Sequence, residues 1–176
     1  MNQHKTQLII NIILFQCTWF SLVTGPLLFG IVFLLCLLIH TSCTSRNVIL
    51  DSVFYLLVLL FGVIADSLLM HLGVYQFGLG LDAWSNQALI PVWLICLWLA
   101  FALTLKRSLN WLFSYPWLML ILLAVLGPLS YYAGSQLNPL RFQIKGDMLF
   151  LILQWVVMSG VILGLNQVLV SNKKGS

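Results

Sequence analysis

Charged side chains are scarce in this sequence. Only 7% of its 176 residues are charged, whereas 61% are hydrophobic. A soluble domain is about a quarter charged, and a chain with far fewer charges cannot cover a surface that faces water. Lipid must therefore contact most of this protein. The length suits one compact bundle over residues 1–176, without a separate soluble domain.

Motifs of several function classes are missing. The sequence contains no recognisable cofactor motif or ATP-binding loop, and no second histidine lies close enough to His71 to predict a metal site. Its four cysteines form no Cys-x-x-Cys pair and are expected to be small buried residues. No cleavage site resembling Ala-x-Ala follows the first apolar run, so we expect that run to be a retained membrane helix. We therefore predict neither a metal nor a cofactor.

Long apolar runs are abundant. A helix that crosses a hydrocarbon core of about 30 Å needs about 20 apolar residues, and four runs predict such spans at 49–72, 91–105, 117–134 and 148–170. Residues 8–40 would form one helix of about 50 Å, too long for a bilayer. Gly25-Pro26 predicts a break near their middle, so we predict two short helices, 8–23 and 27–41, that form a hairpin. The predicted fold is all-α, an integral membrane bundle of six transmembrane helices.

The basic residues are unevenly distributed among the predicted loops. With six spans, Arg141 and Lys145 lie on one side of the membrane, and the other side carries Lys5, Arg46, Lys106, Arg107, Lys173 and Lys174. Five spans would give a split of five against three. The positive-inside rule therefore favours six spans with both termini in the cytoplasm. The net charge of +4 is a topology signal and predicts no nucleic-acid partner.

Asp66 is the first candidate for a functional residue. It lies about six residues from the outer end of the third predicted span, where an ionisable group is costly and normally faces protein or a water-filled cavity. It shares a helical face with Gly62, which would let another helix approach closely. The predicted outward-facing pocket contains Asp66, Trp93, Tyr131, Tyr132 and Gln154, with Arg141 on the loop above. The alternative is a buried polar group that fixes helix packing.

A second group of candidates follows the fourth predicted span. Its members are Thr104, Lys106, Arg107 and Ser108. They are either interfacial anchors that set the topology or ligands for an anionic headgroup or phosphate.

Two further patterns concern helix breaks and packing. Pro128 lies inside the fifth predicted span, where it should kink the helix and free a carbonyl one turn back. Gly127 and Gly134 share a face beside it. Interrupted helices mark binding sites in transporters, but they also occur without such a site. Gly160 and Gly164 form a GxxxG match that predicts close packing within the bundle.

Four stretches of the chain resemble one family. They are NIILFQCTWF, FGVIADSLLMHLGVYQF, PVWLICLWLAFALTLKRSLNWL and GPLSYYAG, and they cover nearly the whole chain. The family's pattern falls on Asp66, on Trp93, Leu94, Leu97 and Trp98, on Thr104, Leu105, Ser108 and Leu109, and on Gly127, Pro128, Leu129, Tyr131, Ala133 and Gly134. The chain has Lys106-Arg107 where the pattern has Asn-His, so no histidine role carries over there.

The resemblance is to small polytopic inner-membrane proteins of Gram-negative bacteria that share a domain of unknown function. It implies a bacterial inner-membrane location. Genes of this family often lie near genes resembling cyclopropane-fatty-acid synthases and flavin-dependent oxidases. This association implies a link with membrane-lipid modification without assigning a reaction.

Three functions follow as hypotheses. The leading one is a non-catalytic accessory of membrane-lipid modification that binds a lipid or small amphipathic molecule. The second is a small transporter or substrate-capture subunit that works with a membrane-protein partner. The third is an intramembrane enzyme, which has weaker support because one carboxylate without a nucleophile or metal is thin support for catalysis. A purely structural or assembly role is a further alternative.

Overall fold

Six α-helices make up most of the described chain. The computed structural model describes residues 3–45, 47–78 and 88–174. The helices are α1 (Gln3–Thr24), α2 (Leu27–Cys43), α3 (Val48–His71), α4 (Val92–Leu105), α5 (Pro116–Leu137) and α6 (Met148–Lys174). A short 3-10 helix, Asn110–Ser114, connects α4 to α5. The all-α class expected from the sequence is confirmed.

Local sequence explains several of the helix ends. Pro26 and Pro91 stand immediately before α2 and α4, and Pro116 is the first residue of α5, where a missing backbone N–H costs nothing. The Asn47 side chain accepts a hydrogen bond from the backbone N–H of Leu50 at 3.2 Å and caps α3. The first helix is longer than expected, because α1 extends back to Gln3 through polar residues that precede the apolar run.

Within the described ranges, four helices are long and apolar enough to cross a membrane. The qualifying segments are Lys5–Thr24, Val48–His71, Pro116–Leu137 and Met148–Ser171. They indicate a multi-pass membrane protein. The other two helices are also apolar but shorter, with 17 residues in α2 and 14 in α4.

The arrangement of the helices leaves two gaps. α4 packs against α1, α2 and α3, while α6 packs against α3 and α5. α1 and α5 touch only sparsely, and so do α2 and α3. A cavity lies in each gap. The short helix α4 therefore forms part of the wall of both cavities.

A two-stranded antiparallel ribbon closes one end of the bundle. Its strands are β1 (Tyr75–Phe77) and β2 (Phe142–Ile144), and Gln76 pairs with Gln143 in the middle. The sequence analysis did not predict it, because three-residue strands are too short to show a periodic pattern. The two glutamines are exposed, whereas Tyr75 and Phe142 are buried. We call this end of the bundle the strand end.

The cysteines are not buried, which corrects the expectation from the sequence. Cys36 and Cys43 are exposed, and Cys17 and Cys96 are partly exposed. In a bundle whose surface is largely apolar, small residues can face outward without losing a favourable environment. Cysteine in this chain therefore does not mark the core.

Candidate functional site

The carboxyl group of Asp66 lies at the centre of a buried hydrogen-bond network. Asp66 is 0% exposed. Oδ1 accepts hydrogen bonds from Tyr75 Oη at 2.6 Å and Gln154 Nε2 at 2.5 Å. Oδ2 accepts from Trp98 Nε1 at 2.6 Å and Tyr131 Oη at 2.5 Å. The carboxyl group thus joins α3 to α4, α5, α6 and β1.

All four donors in this network are uncharged. A buried carboxylate without a cation costs several kcal/mol in desolvation, and two hydrogen bonds to each oxygen offset part of that cost. Burial and the neighbouring Asp66 carboxyl raise the pKa of the Tyr75 phenol far above its ordinary value. Tyr75 therefore keeps its proton and remains a donor to Asp66 across the ordinary pH range.

Two glycines let a pair of tryptophans lie flat beside Asp66. The indole rings of Trp98 and Trp155 are stacked, with centroids 5.3 Å apart and an interplanar angle of 18°. A Cβ atom at Gly62 would overlap the Trp98 ring, and one at Gly127 would overlap the Trp155 ring. The indole pair therefore lies between the backbones of α3 and α5. Each glycine is one helical turn before a residue of the network, Asp66 or Tyr131.

An apolar cleft adjoins this network. It has a volume of about 590 Å³ and lies between α1, α4 and α5. Trp98, Tyr131 and Trp155 form part of its wall, whereas Asp66 does not line it. The aromatic residues that line it are Phe15, Trp19, Trp93, Trp98, Phe101, Tyr131, Phe142 and Trp155. Two of the four donors to Asp66, Trp98 and Tyr131, thus lie between the carboxyl group and the cleft.

Polar groups are found at the strand end of the cleft. Arg141 donates from Nη1 to the backbone oxygens of Leu22 at 2.6 Å and Gly25 at 3.2 Å. Its Cζ lies 5.7 Å from the centroid of the Trp93 ring. Asn138 donates from Nδ2 to the backbone oxygen of Val23 at 3.1 Å. These contacts tie the last turn of α1 to the segment between α5 and β2, and they bring a positive charge to the strand end of the cleft.

The structure brings some of the six residues of the predicted pocket together. Asp66, Tyr131 and Gln154 are in direct contact. Trp93 and Arg141 line the cleft next to each other but are not hydrogen-bonded to Asp66. Tyr132 is 50% exposed and lies outside the cleft lining.

Two residues of the network were missed by sequence reasoning. Tyr75 lies just beyond α3 in a segment without periodicity, so no pattern placed its side chain. Trp98 is part of the tryptophan run that carried the family resemblance. Its spacing from Trp93 did not reveal that its indole N–H points toward Asp66.

The four candidate headgroup residues have separate partners. Lys106 Nζ donates to Asn166 Oδ1 at 2.7 Å, and Arg107 Nη2 donates to the backbone oxygen of Thr41 at 2.9 Å. The hydroxyl of Ser108 donates to Asn11 Oδ1 at 2.7 Å, and that of Thr104 donates to the backbone oxygen of Ala100. These bonds tie the end of α4 to α1, α2 and α6. The structure does not gather the four residues around one binding point.

The glycine pattern in α6 requires a correction. Gly160 and Gly164 are exposed, and a Cβ atom at either position would meet nothing within 4 Å. They do not mediate packing within the bundle, because this face of α6 points away from α3 and α5. Gly127, Pro128 and Gly134 are buried on α5 beside the cleft.

Comparisons with known proteins place the chain in one family. No curated protein and no solved structure matches it. A family profile, described as a protein of unknown function (DUF2878), matches residues 8–161. These residues include five of the six helices completely or nearly so, together with the Asp66 network and the cleft. The chain belongs to the DUF2878 family of proteins of unknown function.

Proposed function

We propose that this protein binds a lipid or another amphiphile in the cleft between α1, α4 and α5. The observation that carries the proposal is the size and lining of the cleft. A volume of about 590 Å³ lies within the range of small-molecule sites. Its walls are mainly aromatic and aliphatic side chains, which suit an apolar chain better than a polar solute.

The length of the cleft suits a molecule that is as long as one leaflet of the bilayer is thick. Its lining extends over residues 12–23 of α1, 93–104 of α4 and 123–134 of α5. At about 1.5 Å per residue, each of these stretches is about 16 Å long. This is about half of a hydrocarbon core of about 30 Å. One acyl chain of a single leaflet would fill the cleft, with its polar head near Arg141 and Asn138.

The Asp66 network supports a binding role better than a catalytic one. Tyr131 and Trp98 belong both to the network and to the cleft wall. Asp66 holds these side chains in position but does not itself face the cleft. We assign it the role of a positioning residue.

The remaining parts of the proposal concern location and process. The protein would lie in a bacterial inner membrane, with six spans and both termini in the cytoplasm, and would assist acyl-chain modification. Its deletion would then change the acyl-chain profile of the membrane lipids, and the wild-type chain would restore it. An unchanged profile would contradict the accessory role in acyl-chain modification. It would not decide whether the protein binds a lipid.

A transport or substrate-capture subunit is the second candidate function. Pro128 lies next to the cleft inside α5, which is continuous from Pro116 to Leu137, and transporters commonly have proline-containing helices at their binding sites. Uptake of a solute into proteoliposomes, dependent on a partner protein, would favour this candidate over lipid accessory function.

Filling the cleft tests the main proposal. Ala133 lines the cleft on α5, whereas Val125 is 51% exposed on the same helix and lies outside the lining. We expect Ala133→Trp to lose a lipid that the wild-type protein and Val125→Trp retain after purification in mild detergent. Native mass spectrometry with added phosphatidylglycerol measures the retention. Equal retention by the two variants, with similar melting temperatures, would refute binding in the cleft.

A further inference from the structure

A glutamine side chain faces the cleft at the depth of the membrane core. Gln16 is on α1, about 12 Å along the helix from its end at Thr24. The residues of α1 that line the cleft are Ile12, Phe15, Gln16, Trp19 and Val23. They share one face of the helix, with Gln16 in the middle. Gln16 therefore faces the molecule that occupies the cleft.

The amide of Gln16 is unpaired. In the part of the chain that the structure describes, no group is hydrogen-bonded to this amide, and the side chain is exposed. Lipid chains offer an amide no partner, so a glutamine at this depth is costly unless another molecule pairs with it. Gln154, about 9 Å from the start of α6, is bonded to Asp66 instead. The amide of Gln16 thus indicates a polar group on the molecule in the cleft.

A second polar side chain lines the cleft at a similar distance from the strand end. Ser130 is on α5, about 10 Å before the end of the helix at Leu137, and its hydroxyl donates to the backbone oxygen of Gly127 at 2.7 Å. Because its proton is used in this bond, Ser130 can only accept from a ligand, whereas the Gln16 amide can donate and accept. A ligand hydroxyl also donates and accepts, so it matches both side chains. A ligand carbonyl oxygen would leave the two acceptors unpaired.

The depth of Gln16 indicates where the hydroxyl lies on the ligand. Arg141 and Asn138, which would meet the polar head of a lipid, are at the strand end of the cleft. Gln16 is about 12 Å from that end along α1, in a leaflet with about 15 Å of hydrocarbon. Headgroups lie outside the hydrocarbon core, so a hydroxyl beside Gln16 belongs to the apolar chain and not to the head.

We propose that the cleft binds an acyl chain with a hydroxyl group part way along its length, and that Gln16 pairs with this hydroxyl. The inference rests on the proposed lipid binding in the cleft and names the class of lipid. Ile12, Leu126 and Leu129 line the cleft and are exposed, so the chain enters from the bilayer between α1 and α5. Among the described lining residues Arg141 alone is charged, and it lies at the strand end. Recognition at Gln16 therefore relies on neutral hydrogen bonds.

Removing the amide tests the proposal with little risk to folding. Gln16→Leu replaces the amide with an apolar side chain, and Gln136→Leu is the matched control because Gln136 is exposed on α5 and lies outside the cleft lining. The full chain in mild detergent is given equal amounts of ricinoleic acid and oleic acid, which differ by one hydroxyl near the middle of the chain. Native mass spectrometry measures the retained acids. We expect the wild type and Gln136→Leu to prefer ricinoleic acid about fivefold, the effect of one hydrogen bond, and Gln16→Leu to show no preference.

The position of the hydroxyl provides a second measurement. Oleic acid that is hydroxylated next to its carboxyl group carries the hydroxyl at the polar head, far from Gln16. We expect the wild type to retain this acid no better than oleic acid. An equal preference for both hydroxylated acids would mean that the cleft does not recognise a hydroxyl at the depth of Gln16, contrary to the proposal.

The chain comes either from a free fatty acid or from a phospholipid. Phosphatidylglycerols with ricinoleoyl or oleoyl chains are therefore compared in the same way. A preference confined to the phospholipids assigns the site to an esterified chain, and a preference confined to the free acids assigns it to a fatty acid. If the wild type shows no preference in either form, or if Gln16→Leu keeps the preference, the proposal is wrong.

Failure of this inference can be distinguished from failure of lipid binding in the cleft. If the wild type retains the hydroxylated and plain chains equally and Ala133→Trp loses both, the cleft binds lipid without selecting the hydroxyl. If Ala133→Trp retains both chains as the wild type does, the lipid does not lie in the cleft. Melting temperatures similar to that of the wild type show that each variant is folded.

Discussion

A single carboxyl group organises the buried polar interactions at the strand end. Asp66 is hydrogen-bonded to side chains from three other helices and from β1. Each partner is neutral, so the carboxyl group is stabilised by oriented dipoles instead of an ion pair. An acceptor shared by four donors is difficult to replace, because any neutral side chain would leave some of them unpaired.

At the residue scale, loss of the carboxyl group should destabilise the fold. Asp66→Ala removes the acceptor that four buried donors share, and we expect the free energy of unfolding to fall by about 3 kcal/mol or more. Tyr131→Phe removes one donor and should cost about 1 kcal/mol. Unfolding by sodium dodecyl sulfate in detergent micelles measures both. The control is Tyr132→Phe, and a loss as large as that of Tyr131→Phe would contradict the assigned network.

At the element scale, the stacked indoles determine how α3 and α5 approach each other. Trp98 lies against Gly62, and Trp155 lies against Gly127. A flat ring against each bare backbone lets the indole pair fill the space between the two helices, while the donors of Trp98 and Tyr131 stay aimed at Asp66. The packing of the helices and the polar network therefore depend on the same side chains.

Glycine-to-alanine substitutions at a buried and at an exposed position separate two effects on stability. One is the loss of a close contact, and the other is the change in helix propensity. Gly127→Ala forces a methyl group into the Trp155 ring, and we expect a loss of about 1–3 kcal/mol of stability with a changed near-ultraviolet circular dichroism spectrum. Gly160→Ala meets open space and should be neutral or stabilise α6 slightly. Thermal unfolding of the two purified variants provides the comparison. Equal stabilities would show that Gly127 does not make a close contact.

At the scale of the whole molecule, α4 is the shortest of the six helices, and it packs against α1, α2 and α3. With 14 residues it is about 21 Å long, so a full crossing would need a thinned bilayer or the help of the turns that follow it. It lines both the cleft between α1 and α5 and the second cavity between α2 and α3.

The predicted topology can be tested with reporter fusions. The positive-inside rule places both termini in the cytoplasm, with Lys145 near β2 on the opposite side. A fluorescent protein should fold at either terminus, whereas alkaline phosphatase should be active only when inserted beside Lys145. Phosphatase activity at the carboxyl terminus, combined with a fluorescent fusion at the amino terminus, would mean an odd number of spans.

The sequence by itself determined three properties of this protein: its lipid surroundings, its all-α fold class and its family. Few charges and long apolar runs leave lipid as the surroundings, and helices are the structure that satisfies backbone groups there. An isolated acid in an apolar helix pointed to Asp66, and helical periodicity joined it to Gly62. These signals are local, so they can be read along the chain.

Only the tertiary structure decided which side chains meet. Tyr75 and Trp98 contact Asp66 because a turn and a neighbouring helix bring them there, and neither spacing nor hydropathy encodes that approach. Arg107 was grouped with Ser108 by proximity in sequence, yet its side chain reaches Asp51 instead. Gly160 and Gly164 matched a packing motif but face outward. In a helix that is apolar on every side, composition does not reveal which face packs against the bundle. That face is determined by contacts with residues that are distant in the sequence.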